Sequence, residues 1–470
     1  MHFTSQLFLF ILLPVTLFLY CILPFKWWRT YILLISSLIF YSWGEPLFVV
    51  LLTLLVLLNW FLGKIIGQSI QKADKQKTKI FKIISVILNL LPLLILKLLA
   101  SRSYINISDK LFWGNLSSIT FPMGLSFFTF TSIAYLIDIS RKEISSEKNL
   151  IDFSVFLLMF PKISQGPITK YASVISGIKK PVIKIDTISN GLRRFVAGLA
   201  KKVLVADYLG VVSSKVFAQD PNSLNPAIAW YGLIAFSIQV FLDFSAYSDM
   251  AIGLGNVLGF ELPENFNFPY ISKSITEFWR RWHITLTTWF RSYFFIPLEI
   301  ARRKVKRFRL ETNVILVFLA TGLWHGIGLN YIIWGLYHGI IIALEANFLA
   351  NWLKKINPVF QHALTLLLIT FGWVFFRIQE ISSWSPFFRS LFGLNSSNIQ
   401  SLRSLRILAY WPIFLIGVLL CLPIIRIIPF KVQNNPWFRT LTDCLLVIIL
   451  LISISLIASG NYRAFLYAEF

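Results

Sequence analysis

Three cysteines are all that 470 residues provide, and Cys21, Cys421 and Cys444 lie in or beside apolar runs without metal-ligand spacing. No metal centre is expected from them; they read as core residues and say nothing about redox compartment. A glycine-rich phosphate loop, a serine nucleophile elbow and a His-Glu-x-x-His zinc pattern are missing too, which removes three common routes to chemistry. There is no low-complexity linker, no separate soluble domain and no clear internal repeat. Residues 1–470 are therefore expected to form a single domain. Charge is scarce as well, at 14% of residues against 56% hydrophobic.

What fills the chain instead is apolar sequence. Mean hydropathy is +0.70, and runs near the bilayer-spanning length of about 20 residues recur from end to end. The expected fold class is an all-α polytopic membrane protein. An outer-membrane barrel would alternate polar and apolar residues, which these runs do not. A net charge of +23 would suggest nucleic acid in a soluble protein. Here the cations sit in loops between apolar runs, as positive-inside topology and anionic headgroups require. The lipid bilayer, not nucleic acid, is the expected partner.

The first five spans are expected at 6–24, 30–43, 46–64, 80–100 and 119–139. No Lys or Arg precedes the first run, and Lys26-Trp27-Trp28-Arg29 follows it. That order reverses a secretory signal, so the N-terminus is expected outside. The loop at 64–82 carries six lysines and one acid, Asp74, while 101–117 carries only Arg102 and Lys110. Alternation places the lysine-rich loops in the cytoplasm. Further on, Phe160-Pro-Lys-Ile-Ser-Gln-Gly-Pro167 would break a spanning helix and suggests a re-entrant element buried in protein. Arg193, Arg194, Lys201 and Lys202 share an amphipathic segment with Leu192, Phe195, Val196 and Leu199. A long span at 226–258, an amphipathic stretch at 270–310, and runs at 311–324, 330–349, 361–378, 408–425 and 441–459 complete about twelve membrane-embedded helices, some short or re-entrant.

Two polar islands interrupt this background. Residues 274–293 hold one acid, three arginines, one histidine and three tryptophans, and Thr321-Gly-Leu-Trp-His-Gly326 lies between two apolar runs. Ionisable groups at membrane depth are costly and mark a pathway or a reaction. Of five histidines, His2 and His362 read as incidental, and His338 as a structural residue bonding a neighbouring helix. His325 is the candidate general base, since an imidazole can take a proton from a hydroxyl and return it to a leaving group. Gly322 and Gly326 would admit a substrate to the backbone. His283 is expected to position a substrate or orient the base; a structural hydrogen bond is the competing reading. Asp243 and Asp249, six apart, do not share one helix face and are expected to bond Arg280, Arg281 or Arg291, because a buried carboxylate needs a partner. Glu277 is expected to pair with Arg280 or Arg281. Some of the cations could line a cytoplasmic funnel for an anionic donor.

The ordered set Asp243-Phe-Ser-Ala-Tyr-Ser-Asp249-Met-Ala-Ile-Gly253, Glu264-Asn-Phe-Asn-Phe-Pro-Tyr270, residues 274–293 and Thr321-Gly-Leu-Trp-His325-Gly resembles the membrane-bound O-acyltransferase family, and within it the bacterial polysaccharide branch. Tyr135-Leu-Ile-Asp138, the Phe160–Pro167 segment, Phe371-Gly-Trp-Val-Phe-Phe-Arg377 and Phe465-Leu-Tyr-Ala-Glu-Phe470 extend the likeness over nearly the whole chain. Ser292, Phe295-Ile-Pro-Leu-Glu-Ile and Leu329 depart from the usual pattern. The resemblance implies helices around a central tunnel and transfer of an acetyl group from cytoplasmic acetyl-CoA to an exported, alginate-like polysaccharide. It makes His325 the catalytic residue, with His283 facing the same tunnel. Trp324, Trp282, Asp243, Asp249, Arg280 and Arg281 are then the candidate substrate contacts. It also implies a periplasmic or extracellular acetyltransferase partner, and a bacterial inner-membrane location. Two rivals stand beside it. One is D-alanyl transfer to teichoic acid; the other is transport of an ion or lipid-linked sugar past Asp243 and Asp249, for which no matching halves are seen.

Overall fold

A chain surrounded by lipid can satisfy its backbone N–H and C=O groups only within helices or a closed barrel. In the computed structural model every element among the described residues is helical. Those residues are 1–100, 121–395, 406–424, 435–460 and 465–466. The 101–117 loop with Arg102 and Lys110, the ends of the runs at 119–139 and 408–425, and residues 467–470 of the terminal motif lie outside them.

Among the described residues six helices are long and apolar enough to cross a membrane: Phe48–Gln71, Lys75–Ala100, Pro226–Leu258, Leu329–Leu349, Pro358–Arg377 and Pro436–Ala458. Phe8–Ile22, Leu125–Ser140 and Ile407–Leu420 are shorter apolar helices. The protein is a multi-pass membrane protein. The remaining expected elements are short or broken. The 270–310 stretch consists of Ile275–Arg281, Ile284–Phe290, a π-helical turn at Arg291–Phe295 and Ile296–Ala301.

Contacts divide the chain into two compact units, Met1–Ala197 with Tyr247–Glu264, and Gly198–Ala246 with Asn265–Phe470. In the first, Asn59 and Asn89 exchange side-chain amide hydrogen bonds of 3.0 and 2.7 Å between Phe48–Gln71 and Lys75–Ala100. Such pairs hold helices together where lipid supplies no hydrophobic drive. Helix Ile185–Ala200 packs on residues 247–258 through two glycines. A Cβ at Gly191 would sit 2.6 Å from the Gly253 carbonyl, and one at Gly253 would sit 2.5 Å from the Gly191 carbonyl. One turn away from that contact on each helix are Arg194 and Asp249. Arg194 Nε donates to Asp249 Oδ1 at 2.9 Å, and its other nitrogens fork onto Glu264 at 2.6 Å each. The Phe160–Pro167 segment breaks as its prolines and glycine require, into Leu150–Leu158 and the short Phe160–Ile163, and it is buried throughout.

In the second unit, Arg309–His325 and Leu329–Leu344 form a tight helical hairpin. A side chain at Gly322 would strike the Tyr331 carbonyl, and one at Gly335 the Phe318 carbonyl. Gly322 and Gly326 thus admit neighbouring protein, the latter facing the Tyr331 ring. The close backbone approach expected of them is to a helix, not to a substrate.

Candidate active site

The carboxylates come first, because they depart from expectation. Asp243 and Asp249 bond none of Arg280, Arg281 or Arg291. Asp249 is held by Arg194, as above. Asp243 Oδ1 accepts from Lys202 Nζ at 2.7 Å, and its Oδ2 accepts the Leu466 N–H at 2.8 Å. Lys202 is 2% exposed at its side chain and also reaches Asp207 Oδ1 at 2.7 Å. The reason is local. Lys201–Ala206 is a π-helical turn, whose i→i+5 bonding brings Lys202 over Asp207. Burial alone would draw the proton off Lys202; the two carboxylates more than offset that and hold its ammonium above the usual range. With both oxygens of Asp243 engaged, the residue anchors protein.

The two histidines do come together. Ser274 caps helix Ile275–Arg281, its hydroxyl accepting the Glu277 N–H at 3.0 Å. Glu345 reinforces the same end, taking the Ile275 N–H at 2.7 Å and the Thr276 N–H at 2.8 Å. A carboxylate there complements the helix dipole. The helix carries Trp279 and Arg280 and ends before Trp282. His283 follows with φ 42° and ψ 54°, a left-handed conformation uncommon outside glycine. Backbone held there is typical of sites over-determined by their surroundings. Asn265 does the holding: its carbonyl accepts the Ile284 N–H at 2.9 Å, and its Oδ1 accepts the Thr285 N–H at 3.3 Å and the Thr285 hydroxyl at 3.0 Å. The same Oδ1 lies 3.0 Å from His283 Nδ1. An oxygen that accepts those bonds requires Nδ1 to carry the proton, so Nε2 is the basic nitrogen. The His283 ring is buried.

His325 closes helix Arg309–His325 with 9% exposure. Aromatic rings surround it: Trp324 at 4.5 Å, Trp334 at 5.1 Å and Phe376 at 5.1 Å, all edge-on. Trp324 also meets the His283 ring at 6.2 Å. One indole therefore stands between the two imidazoles. Trp282 lies in the ring cluster behind them, stacked on Phe278 at 5.4 Å and 5.1 Å from Trp373.

A cavity of about 1120 Å³ lies in the same unit. It follows helix Arg309–His325 from Leu310 to Thr321, roughly 16 Å at 1.5 Å per residue. Thr321 is one turn before His325, and Ile284, also on the wall, directly follows His283. Lys273, Arg280, Arg291 and Lys354 contribute four cations to the lining, against Glu277 and Glu345. Both acids are engaged elsewhere, so they offset these cations only in part. Glu277 pairs with Arg281 at 2.8 Å, as expected, and Glu345 is spent on the helix N-terminus. The charged groups of the lining are mostly positive, and the rest mixes apolar side chains with Ser274, Thr276, Thr287, Thr288, Thr321 and Gln361.

His338 also departs from expectation: among the described residues it makes no hydrogen bond to a neighbouring helix and packs against Trp279 and Trp334, each at 5.1 Å. His362 Nδ1 lies 3.1 Å from the Ser272 carbonyl. Asn265 and Glu345 are not singled out by the sequence, and Lys202 reads there only as one cation of an amphipathic segment. Glu345, a lone acid inside an apolar run, is the one whose cost at depth could have flagged it. Among the described residues no cluster of metal-type ligands occurs.

The membrane-bound O-acyltransferase family model matches residues 126–382. The chain is 35% identical over 492 residues to the probable alginate O-acetylase AlgI of Pseudomonas putida, covering 100% of both chains. It is 29% identical over 535 residues to the peptidoglycan O-acetyltransferase of Helicobacter pylori, covering 100% of this chain and 97% of that one. With the teichoic acid D-alanyltransferase of Bacillus subtilis it shares 31% identity over 278 residues, 56% of this chain and 69% of the other. The chain belongs to the membrane-bound O-acyltransferase family and is an acyltransferase of the membrane.

Proposed function

We propose that this enzyme takes an acetyl group from cytoplasmic acetyl-CoA and passes it outward for O-acetylation of an exported or cell-envelope polysaccharide of the alginate-like kind. The observation that carries the reading is the cation-lined cavity, whose wall includes Ile284, next to His283, and Thr321, one helical turn before His325. The four cations, only partly offset by two acids, suit the phosphates of coenzyme A, and the apolar part of the lining suits its thioester arm. His325 acts as general base. It takes the proton of an acceptor hydroxyl as that oxygen attacks the thioester carbonyl; the carbon–sulfur bond breaks, and the proton passes to the departing thiolate. His283, fixed by Asn265, accepts a hydrogen bond from a substrate and orients it. Trp324 and Arg280 contact substrate. Arg281, Trp282 and Asp243 support the frame that holds them, whereas Asp249 anchors Arg194 within its own unit.

Residues 1–470 work as one membrane domain in the bacterial inner membrane, with the N-terminus outside. A periplasmic or extracellular acetyltransferase completes the transfer to the polymer. D-alanyl transfer to teichoic acid is the rival reading, and the full-length match to O-acetylases favours acetyl. Mass spectrometry of envelope polysaccharide from cells with and without the gene tests the proposal. Acetyl esters should vanish with the gene; their persistence, or loss of D-alanine instead, refutes it.

A further inference from the structure

Phe465 and Leu466 lie within the second unit, on an ion cluster that the reaction above leaves out. Phe465 is fully buried, and its ring centroid lies 4.6 Å from the Lys202 ammonium. A cation over an aromatic face gains most where water is excluded. Leu466 packs on the unit's apolar core, and its N–H donates to Asp243 Oδ2 at 2.8 Å. Among the described residues that N–H is the donor Oδ2 has, because Lys202 takes Oδ1 and is shared with Asp207. A buried carboxylate oxygen without a donor is costly, and a charge-assisted bond to it is among the stronger ones.

Asp243 is followed on helix Pro226–Leu258 by Phe244, which is 1% exposed. The Phe244 ring meets the His283 imidazole edge-on at 4.7 Å. It also meets Phe266 at 5.1 Å, and Phe266 meets Trp282 at 5.2 Å and His283 at 6.5 Å. Asn265 fixes the imidazole through Nδ1, and these two rings bound it by contact. On the other side of Asp243, the same π turn that carries Lys202 also reaches Ser245, whose hydroxyl accepts from Lys201 Nζ at 3.3 Å. Residues 243–245 are therefore held between the two lysines and the 465–466 segment. A close-packed interior passes a shift of one residue on to its neighbour instead of absorbing it.

We propose that Phe465 and Leu466 are positioning residues for acyl transfer: by completing the Asp243 carboxylate and covering Lys202, they hold Phe244 against His283. They touch neither substrate nor base, and act through one ring on the histidine that orients the substrate. The inference rests on His283 having that role, as proposed above.

The test uses the full chain in lipid nanodiscs, reading acetyl release from acetyl-CoA alongside unfolding temperature. Leu466→Pro removes the N–H, whereas Leu466→Ala keeps it and trims the side chain. Leu466→Pro should lower kcat about tenfold by loosening an oriented group. KM for acetyl-CoA should change little, because the cavity is untouched. Leu466→Ala should lose less. Phe244→Leu should lower kcat as well, and the double variant should be no slower than the slower single one, since both act through one contact. If Leu466→Pro does not fold, Phe465→Leu, which uncovers Lys202, takes its place in that cycle with the same expectation. Wild-type kcat in the folded variant overturns the proposal, as do a change in KM alone, equal losses for Leu466→Pro and Leu466→Ala, and losses that multiply in the double variant. A His283→Ala enzyme with wild-type kcat would overturn the reading beneath it, so the two failures are distinguishable.

Discussion

Replacing Asn265 with alanine removes one acceptor from three buried donors at once. Asn265 is fully buried, and its Oδ1 receives the His283 Nδ1–H at 3.0 Å, the Thr285 hydroxyl at 3.0 Å and the Thr285 N–H at 3.3 Å. The last is long and contributes least. At about 1 kcal/mol net per bond, the variant should lose about 2–3 kcal/mol of stability. The effect on transfer should be larger than this implies. Without Oδ1, nothing fixes which nitrogen of His283 carries the proton, and the left-handed backbone at that residue loses its clamp. Misplacement of a positioning group by about 1 Å costs about 100-fold. The assay is radiolabelled acetyl release from acetyl-CoA by the solubilised enzyme, alongside thermal unfolding. Asn265→Asp, which keeps the acceptor, should recover more activity than Asn265→Ala. An Asn265→Ala enzyme with wild-type turnover would refute the assignment of His283 as an oriented base-side contact. So would equal losses for the two variants.

Lys202→Met should destabilise the protein by about 3–5 kcal/mol, because it strands Asp207 and Asp243 as buried, unpaired charges; thermal unfolding reads this, and a shift within error would contradict it. Gly253→Leu should disrupt the Gly191 contact and with it the Arg194–Asp249 pair, lowering the yield of folded protein in size-exclusion chromatography, whereas Arg194→Gln should leave the fold intact. Arg291→Glu on the cavity wall should raise KM for acetyl-CoA at least tenfold with smaller change in kcat, and salt should shrink the difference.

Apolar runs placed the long helices closely: the expected span at 226–258 coincides with Pro226–Leu258, and 361–378 with Pro358–Arg377. Hydropathy reports burial in lipid, which is a property of the run itself. The two motif islands come together in space, His283 and His325 meeting across Trp324. What eluded the sequence was pairing. Lys202 meets Asp207 because a π turn changes which residues share a face, and no periodicity announces such a turn. Asp249 meets Arg194 because two glycines let distant segments approach. The arginines of 274–293 looked like the nearer partners, but Arg281 is taken by Glu277 and Arg280 and Arg291 face the cavity. His338 read as a helix-bonding residue because buried histidines usually are; its neighbours turned out to be rings.

The account depends on the imidazole at the end of helix Arg309–His325 accepting a proton next to an incoming thioester. Single-turnover acetyl transfer by His325→Ala, purified in lipid and matched to wild type in unfolding temperature and acetyl-CoA binding, measures that directly. The predicted result is intact donor binding with transfer reduced to background. Transfer at the wild-type rate by this folded, donor-bound variant would contradict it.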